Sequence, residues 1–252
     1  SLKDKKIITP QDMAIERYDC ENPQEEALVI AMALRRALED KNTLAALVTP
    51  DRNLARRVTM ACRRWGIEID DSAGQPLSQT SVGLYLRLCM ECVIGEMMPV
   101  ALLSFCKHGK CRPAYKNWRS EIRAFDKHAA RGPMFQGGLD GYNKNIGELK
   151  DDSSKEKFQN LLSFIQTGFS DLLVFEKTDK RPFADWVYAH LKAAEYFCPA
   201  EILWTGQEGE EASVFFSALL QEKDAPDDLS AQDYMAVLTG LMKAVSVRPR
   251  YG

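Results

Sequence analysis

The sequence predicts an α/β chain in two parts: a small parallel βαβαβ block over residues 13–80, then a mostly helical domain over 81–252. Two observations predict it. Up to Thr80, short apolar runs alternate with amphipathic stretches across short connections, which favours parallel strands joined by right-handed crossovers. Beyond Thr80, strand-like runs become scarce and apolar residues recur at three- and four-residue spacing. Residues 1–12 read as an expression remnant or linker. With the abrupt "VRPRYG" ending, both ends read as cut, so the chain reads as an excised piece of a longer protein.

Met13 to Tyr18 alternates apolar and polar residues and is predicted as the first strand. In "NPQEEALVIAMALRRALED", Asn22 is a helix cap, Pro23 occupies the first helical position, and Glu25 is placed to bond back. Ala27, Ile30, Ala31, Leu34 and Leu38 then form one apolar stripe. "TLAALVT" reads as a strand buried on both faces, Thr49-Pro50 as the start of the next helix, and "GIEID" as the third strand. In the intervening helix, Leu54, Val58, Ala61, Cys62 and Trp65 share one arc at about 100° per residue. Arg52, Arg56, Arg57, Arg63 and Arg64 lie off that arc, facing away from the core.

Seven stretches carry helical periodicity in the second part: "SVGLYLRLCMECVIG", "MPVALLSFCKHG", "AYKNWRSEIRAFDKHAA", "KEKFQNLLSFIQTGFSDLLVFE", "FADWVYAHLKAAEYF", "GEEASVFFSALLQE" and "AQDYMAVLTGLMKAV". Residues 132–147, rich in glycine and asparagine, are predicted as a long loop, and "KDAPDDLS" as a second break.

Composition excludes several classes. With 45% hydrophobic and 27% charged residues the chain is an ordinary globular sequence, and a formal charge of −3 excludes coating nucleic acid with the whole surface. Any DNA contact must come from local patches. There is no apolar run long enough for a bilayer and no secretory signal pattern. Seven cysteines, an odd number, suit a reducing compartment, so a cytoplasmic location is expected.

Cys89 and Cys92 form a C-x-x-C, with Cys106, His108 and Cys111 close behind, enough thiol and imidazole for a zinc site. The favoured reading is that these cysteines are small core residues, since their neighbours on the helix are apolar. Neither Gly137-Gly138 nor Gly206 to Gly209 makes a phosphate-cradling loop, and Asp70-Asp71 and Asp227-Asp228 read as caps or turns. No catalytic residue, cofactor or metal is therefore expected. The basic patch is sharper: Lys107, His108, Lys110, Arg112, Lys116 and Arg119 interleave with Tyr115 and Trp118, as a surface that grips backbone and stacks bases requires. A basic helix–helix connection and, for the arginine helix, a solvated face remain open beside the DNA-binding reading.

The order "NPQEEALVIAMALRRAL", "LAALVTPDRNLARRV", "RRWGIEIDDSAGQPLSQTSVGLYLRL" resembles the RecA-like second motor domain of UvrD-type superfamily 1 helicases. Ala27 after Glu25-Glu26, Leu47-Val48, Gly66-Ile67, Gly74 and Tyr85-Leu86-Arg87-Leu88 stand at the matching places. The wording "LVTPDR-LARRV" with "RWGI-DDSAG-PL-QT" is still more similar to the AddB family, bacterial double-strand-break repair subunits whose helicase fold has lost its motor activity. "LLSFCKHG", "ADWVYAHLKAAE", "ILWTGQEGEEAS" and "VRPRYG" add to it. The resemblance is firm over Met13 to Gly109, thin from Lys110 to Arg181, and weak beyond. It implies a non-catalytic DNA-handling and scaffold segment of a helicase-nuclease subunit, partnered by an AddA-like helicase-nuclease and by DNA, in recombinational repair. The helical part would then be the insertion lying over the duplex, and the arginine helix a DNA or docking face. The alternatives are a segment of an active UvrD-type helicase and a zinc-stabilised interaction module.

Overall fold

The computed structural model describes residues 15–40, 42–131, 138–174, 180–222 and 224–248. The expected remnant or linker at 1–12 lies outside them. The chain divides into two compact units, Ser1–Asp70 and Asp71–Gly252.

The first unit is built on two helices, α1 (Pro23–Ala37) and α2 (Arg52–Arg63). Asn22 Oδ1 accepts hydrogen bonds from the Gln24 and Glu25 N–H groups at 3.0 and 2.9 Å, satisfying donors that a helix start leaves free. Glu25 reaches one residue further back than the sequence suggests, accepting from Glu21 N–H at 2.8 Å. The cap of α2 is Asp51, not Thr49, whose hydroxyl instead accepts from Asp51 N–H at 3.1 Å. At the other end Gly66 adopts φ 72°, a left-handed conformation that costs glycine little and lets Ile67 N–H bond Cys62 O at 3.1 Å. Ala27 and Ala31 of α1 meet Leu54, Val58, Ala61 and Cys62 of α2, with Ile30, Leu34, Leu47, Ile67 and Ile69 around them.

The predicted parallel βαβαβ block is not there. No strand is assigned to the described residues of 13–18, 43–49 or 66–70, and among the described residues the one sheet is a two-stranded antiparallel pair in the second unit. Residues 43–49 alternate in burial, with Ala45, Leu47 and Thr49 turned inward and Leu44 and Val48 97% and 93% exposed, and so do 66–70, whereas 15–18 are exposed throughout. The run read as buried on both faces is therefore one-sided, and the alternation read from Met13 to Tyr18 buries none of its described residues. A strand also needs a neighbour's N–H and C=O groups in register, and among the described residues these segments pair with none. Trp65 departs too: it is 37% exposed, with the Arg35 guanidinium 5.0 Å above its ring.

The second unit is helical. Strand β1 (Gln75–Pro76) and a single 3-10 turn (Leu77–Gln79) lead into α3 (Ser81–Ile94), α4 (Pro99–Cys106), α5 (Trp118–His128), α6 (Gly138–Gly147), α7 (Asp152–Gly168) and α8 (Ser170–Leu173). Then come α9 (Phe183–Phe197), α10 (Ala200–Leu203), α11 (Gly206–Gln221), α12 (Ala231–Ala244) and β2 (Ser246–Val247), which pairs back to β1. Each of the seven periodic stretches contains a helix. The predicted loop 132–147 is corrected over its second half, because Tyr142 and Ile146, one turn apart and fully buried, anchor α6; residues 132–137 lie outside the described ones.

Helix α3 runs through the core. Its first turn comes so close to the Leu77 carbonyl that Gly83 has no room for a Cβ, and Thr80 caps it by accepting from Gly83 N–H at 3.0 Å. The Tyr85 hydroxyl donates to Ala194 O of α9 at 2.7 Å, and the Tyr85 ring stacks on Phe105 of α4, which meets Phe169 and Phe197 edge-on. Fully buried His190 of α9 joins α3 and α12. Its Nε2 lies 2.8 Å from Leu86 O and its Nδ1 2.9 Å from the Tyr234 hydroxyl. A carbonyl only accepts, so Nε2 carries the proton and Nδ1 accepts from Tyr234.

Candidate nucleic-acid interface

The predicted basic patch occupies the end of α4, the connection 107–117 and the start of α5. Three backbone anchors shape it. Cys111 N–H bonds His108 O at 3.0 Å, Arg112 N–H bonds Phe197 O at 2.8 Å, and the Trp118 indole N–H donates to Cys106 O at 3.0 Å. The last bond pins the start of α5 beneath α4. Asn117, at φ 59°, takes the left-handed turn that admits the chain to α5.

Of the predicted residues, some are engaged elsewhere. Lys107 forms an ion pair with Asp126, which also receives Arg131 through Nε at 2.8 Å and Nη2 at 3.0 Å. Those charge-assisted bonds, Arg131 first and then Lys107, hold the Asp126 carboxyl down at about 2. His108 is half-buried and its Nδ1 accepts from Lys110 N–H at 3.2 Å; burial, then the Lys110 charge, lowers its pKa. Lys110 Nζ lies 3.5 Å from Ile202 O. Trp118 is only 5% exposed, in ring contact with Tyr115, Phe164 and Phe197, so it packs the core and offers no face to a base. The half-buried Tyr115 ring packs against Phe164 with centroids 4.8 Å apart and planes tilted by 58°. The base-stacking part of the expectation is thereby corrected.

Arg112, Lys116 and Arg119 remain exposed, and the structure adds Arg123, one turn beyond Arg119 on the same face of α5. The spacing Arg119–Arg123 was visible in the sequence as a like-charged i,i+4 pair. Arg112, Arg119 and Arg123, with Ser120 and Asn117, line an open concavity of about 480 Å³ floored by Cys111, Pro113 and Trp118. None of its lining residues is acidic. None of Arg112, Lys116, Arg119 and Arg123 forms an ion pair among the described residues; Arg112 Nε alone is engaged, donating to Gly109 O at 2.9 Å. The acid in the first turn of α5, Glu121, is buried on the other side, where Lys157 meets it at 2.9 Å.

In the first unit, Arg52, Arg56, Arg57, Arg63 and Arg64 are all exposed while Leu54, Val58, Ala61 and Cys62 face α1. The zinc alternative does not assemble. Cys89, Cys92, Cys106 and Cys111 are buried free thiols whose pKa values burial drives far up, and Cys92 Sγ hydrogen-bonds Ala101 O at 3.4 Å. Among the described residues no group of three or more His, Cys, Asp or Glu side chains is placed to hold a metal ion. No helix of the described residues is long and apolar enough to cross a membrane. Comparison of the chain with family models, with curated proteins and with solved structures gave no match.

Proposed function

We propose that this chain is a DNA-handling and scaffolding segment, without chemistry of its own, of a cytoplasmic bacterial helicase-nuclease subunit of the AddB kind, working with an AddA-like partner on double-strand ends. The observation that carries it is the set of four cations, Arg112, Lys116, Arg119 and Arg123, without a carboxylate partner among the described residues, grouped around the first turns of α5 in a net acidic chain. The sequence resemblance over Met13 to Gly109 supplies the family. The proposal takes nothing from a motor-type parallel sheet, which the described residues do not form. With Trp118 and Tyr115 committed to the core, contact is through phosphates and indifferent to base sequence.

Four phosphate contacts give a slope of log affinity against log salt of about −3 to −4, so raising salt from about 50 to 200 mM weakens binding roughly 50- to 150-fold. The dissociation constant falls at the weak end of the non-specific range, about 10⁻⁴ M. Fluorescence anisotropy with a labelled duplex and a labelled single strand measures both. Lys116→Glu with Arg119→Glu should weaken binding and flatten the salt slope, and Arg57→Glu with Arg64→Glu tests α2 separately. Binding unchanged by the first pair refutes the assignment to α5. Binding that the complete subunit shows but neither pair alters makes the arginines of α2 a docking face.

A further inference from the structure

We propose that the concavity at the start of α5 is a subsite for a terminal phosphate monoester of a nucleotide, so that the chain distinguishes a phosphorylated strand end from a hydroxyl end. This rests on the nucleic-acid reading above and narrows it.

Three features support a monoester over the phosphodiesters of a passing backbone. The first is charge. Arg112, Arg119 and Arg123 line one concavity without an acidic residue, whereas a phosphodiester carries a single negative charge and a terminal phosphate nearly two above its second pKa of about 6. Guanidinium forks also match the several acceptor oxygens of such a group in paired hydrogen bonds. The second is shape. Arg112, Arg119 and Arg123 edge one shallow, open depression above Pro113 and Trp118, where a protruding group can meet the three guanidinium groups together. The third is the cost of the arrangement without an anion. Arg119 and Arg123 stand at i,i+4 on one helix face, a like-charge pair that weakens the helix. The nearest acid in sequence, Glu121, is turned away and paired with Lys157 at 2.9 Å. An anion bound between the two arginines removes that repulsion.

The test uses the full chain and fluorescence anisotropy at one fixed salt concentration. The probes are a short single strand with a 5′-phosphate, the same strand with a 3′-phosphate, and the same strand with hydroxyls at both ends, each labelled away from the end compared. One added charge-assisted contact of about 1.4 kcal/mol is worth roughly tenfold, so at least one phosphorylated strand should bind about tenfold tighter than its hydroxyl twin. Arg119→Gln with Arg123→Gln should abolish that preference, and Arg57→Gln with Arg64→Gln should leave it intact. Both pairs are exposed, and far-UV circular dichroism checks that the variants fold. Unlabelled thymidine monophosphate, with thymidine as control, separates the sources: weak competition assigns the monoester to a strand end, and competition as strong as that of the phosphorylated strand assigns it to a free mononucleotide. Equal affinity for phosphorylated and hydroxyl strands, with the salt slope intact, overturns the monoester subsite and leaves the DNA-handling reading standing. No binding of any probe overturns both.

Discussion

His190 makes stability depend on pH in a direction its surroundings dictate. Burial, outweighing the hydrogen bond to Leu86 O, lowers its pKa to about 4, against about 6.5 for an exposed histidine. The unfolded chain therefore binds a proton over this window that the folded chain refuses, so the stability His190 contributes is present above about pH 6.5 and is lost as pH falls toward 4. Across the whole window the loss is about 3 kcal/mol, and between about pH 7 and pH 5 about 2 kcal/mol. With a urea slope of about 2 kcal/mol per M, the lower pH should bring the midpoint down by about 1 M. The Trp186 ring stacks on Tyr234, the hydrogen-bond partner of His190, so tryptophan fluorescence and near-UV circular dichroism report unfolding at this place. His108, also depressed by burial, contributes in the same direction, so the decisive quantity is the difference between the native chain and His190→Gln. Glutamine keeps a donor and an acceptor but cannot titrate in this range. The variant should be less stable at pH 7 yet lose about 2 kcal/mol less than the native chain on going to pH 5. An unchanged pH step in the variant refutes the buried, neutral assignment.

Two further outcomes follow from the same reasoning. Asp126→Asn removes a carboxylate held at about 2, whose stabilisation is present above about pH 4 and lost as pH falls through 2; because Arg131 and Lys107 are largely exposed, the cost at neutral pH is discounted to about 1 kcal/mol in urea unfolding. The same change frees two cations, so anisotropy should show tighter and steeper salt-dependent DNA binding, and unchanged binding would show that Lys107 lies off the DNA path. The thiols of Cys89, Cys92, Cys106 and Cys111 should resist a thiol reagent in the folded chain and react on denaturation, with no stoichiometric zinc by elemental analysis. Zinc lost on Cys89→Ala or Cys92→Ala overturns their assignment to the core.

The candidate interface was legible in the sequence only as a density of charge. Lys107 looks as free as Arg119 until Asp126, nineteen residues on, is brought against it by the packing of α5 on α4. Trp118 looks like a stacking platform until its indole N–H is seen bonded to Cys106 O, which turns the ring inward. Arg123 was within reach of sequence reasoning through its spacing from Arg119, but only the concavity joins both to Arg112.

What the sequence determined by itself is the set of local commitments: the periodic helices α3, α4, α5, α7, α9, α11 and α12, the cap at Asn22, and the apolar stripe of α2. These rest on contacts within four or five residues, where spacing along the chain is spacing in the molecule. The tertiary structure decided the strands, the helix α6 in a glycine-rich stretch, and which basic and aromatic side chains remain free. "TLAALVT" reads as a strand buried on both faces, yet Leu44 and Val48 are exposed, because a ladder belongs to two segments at once and no local pattern can supply the partner's hydrogen bonds.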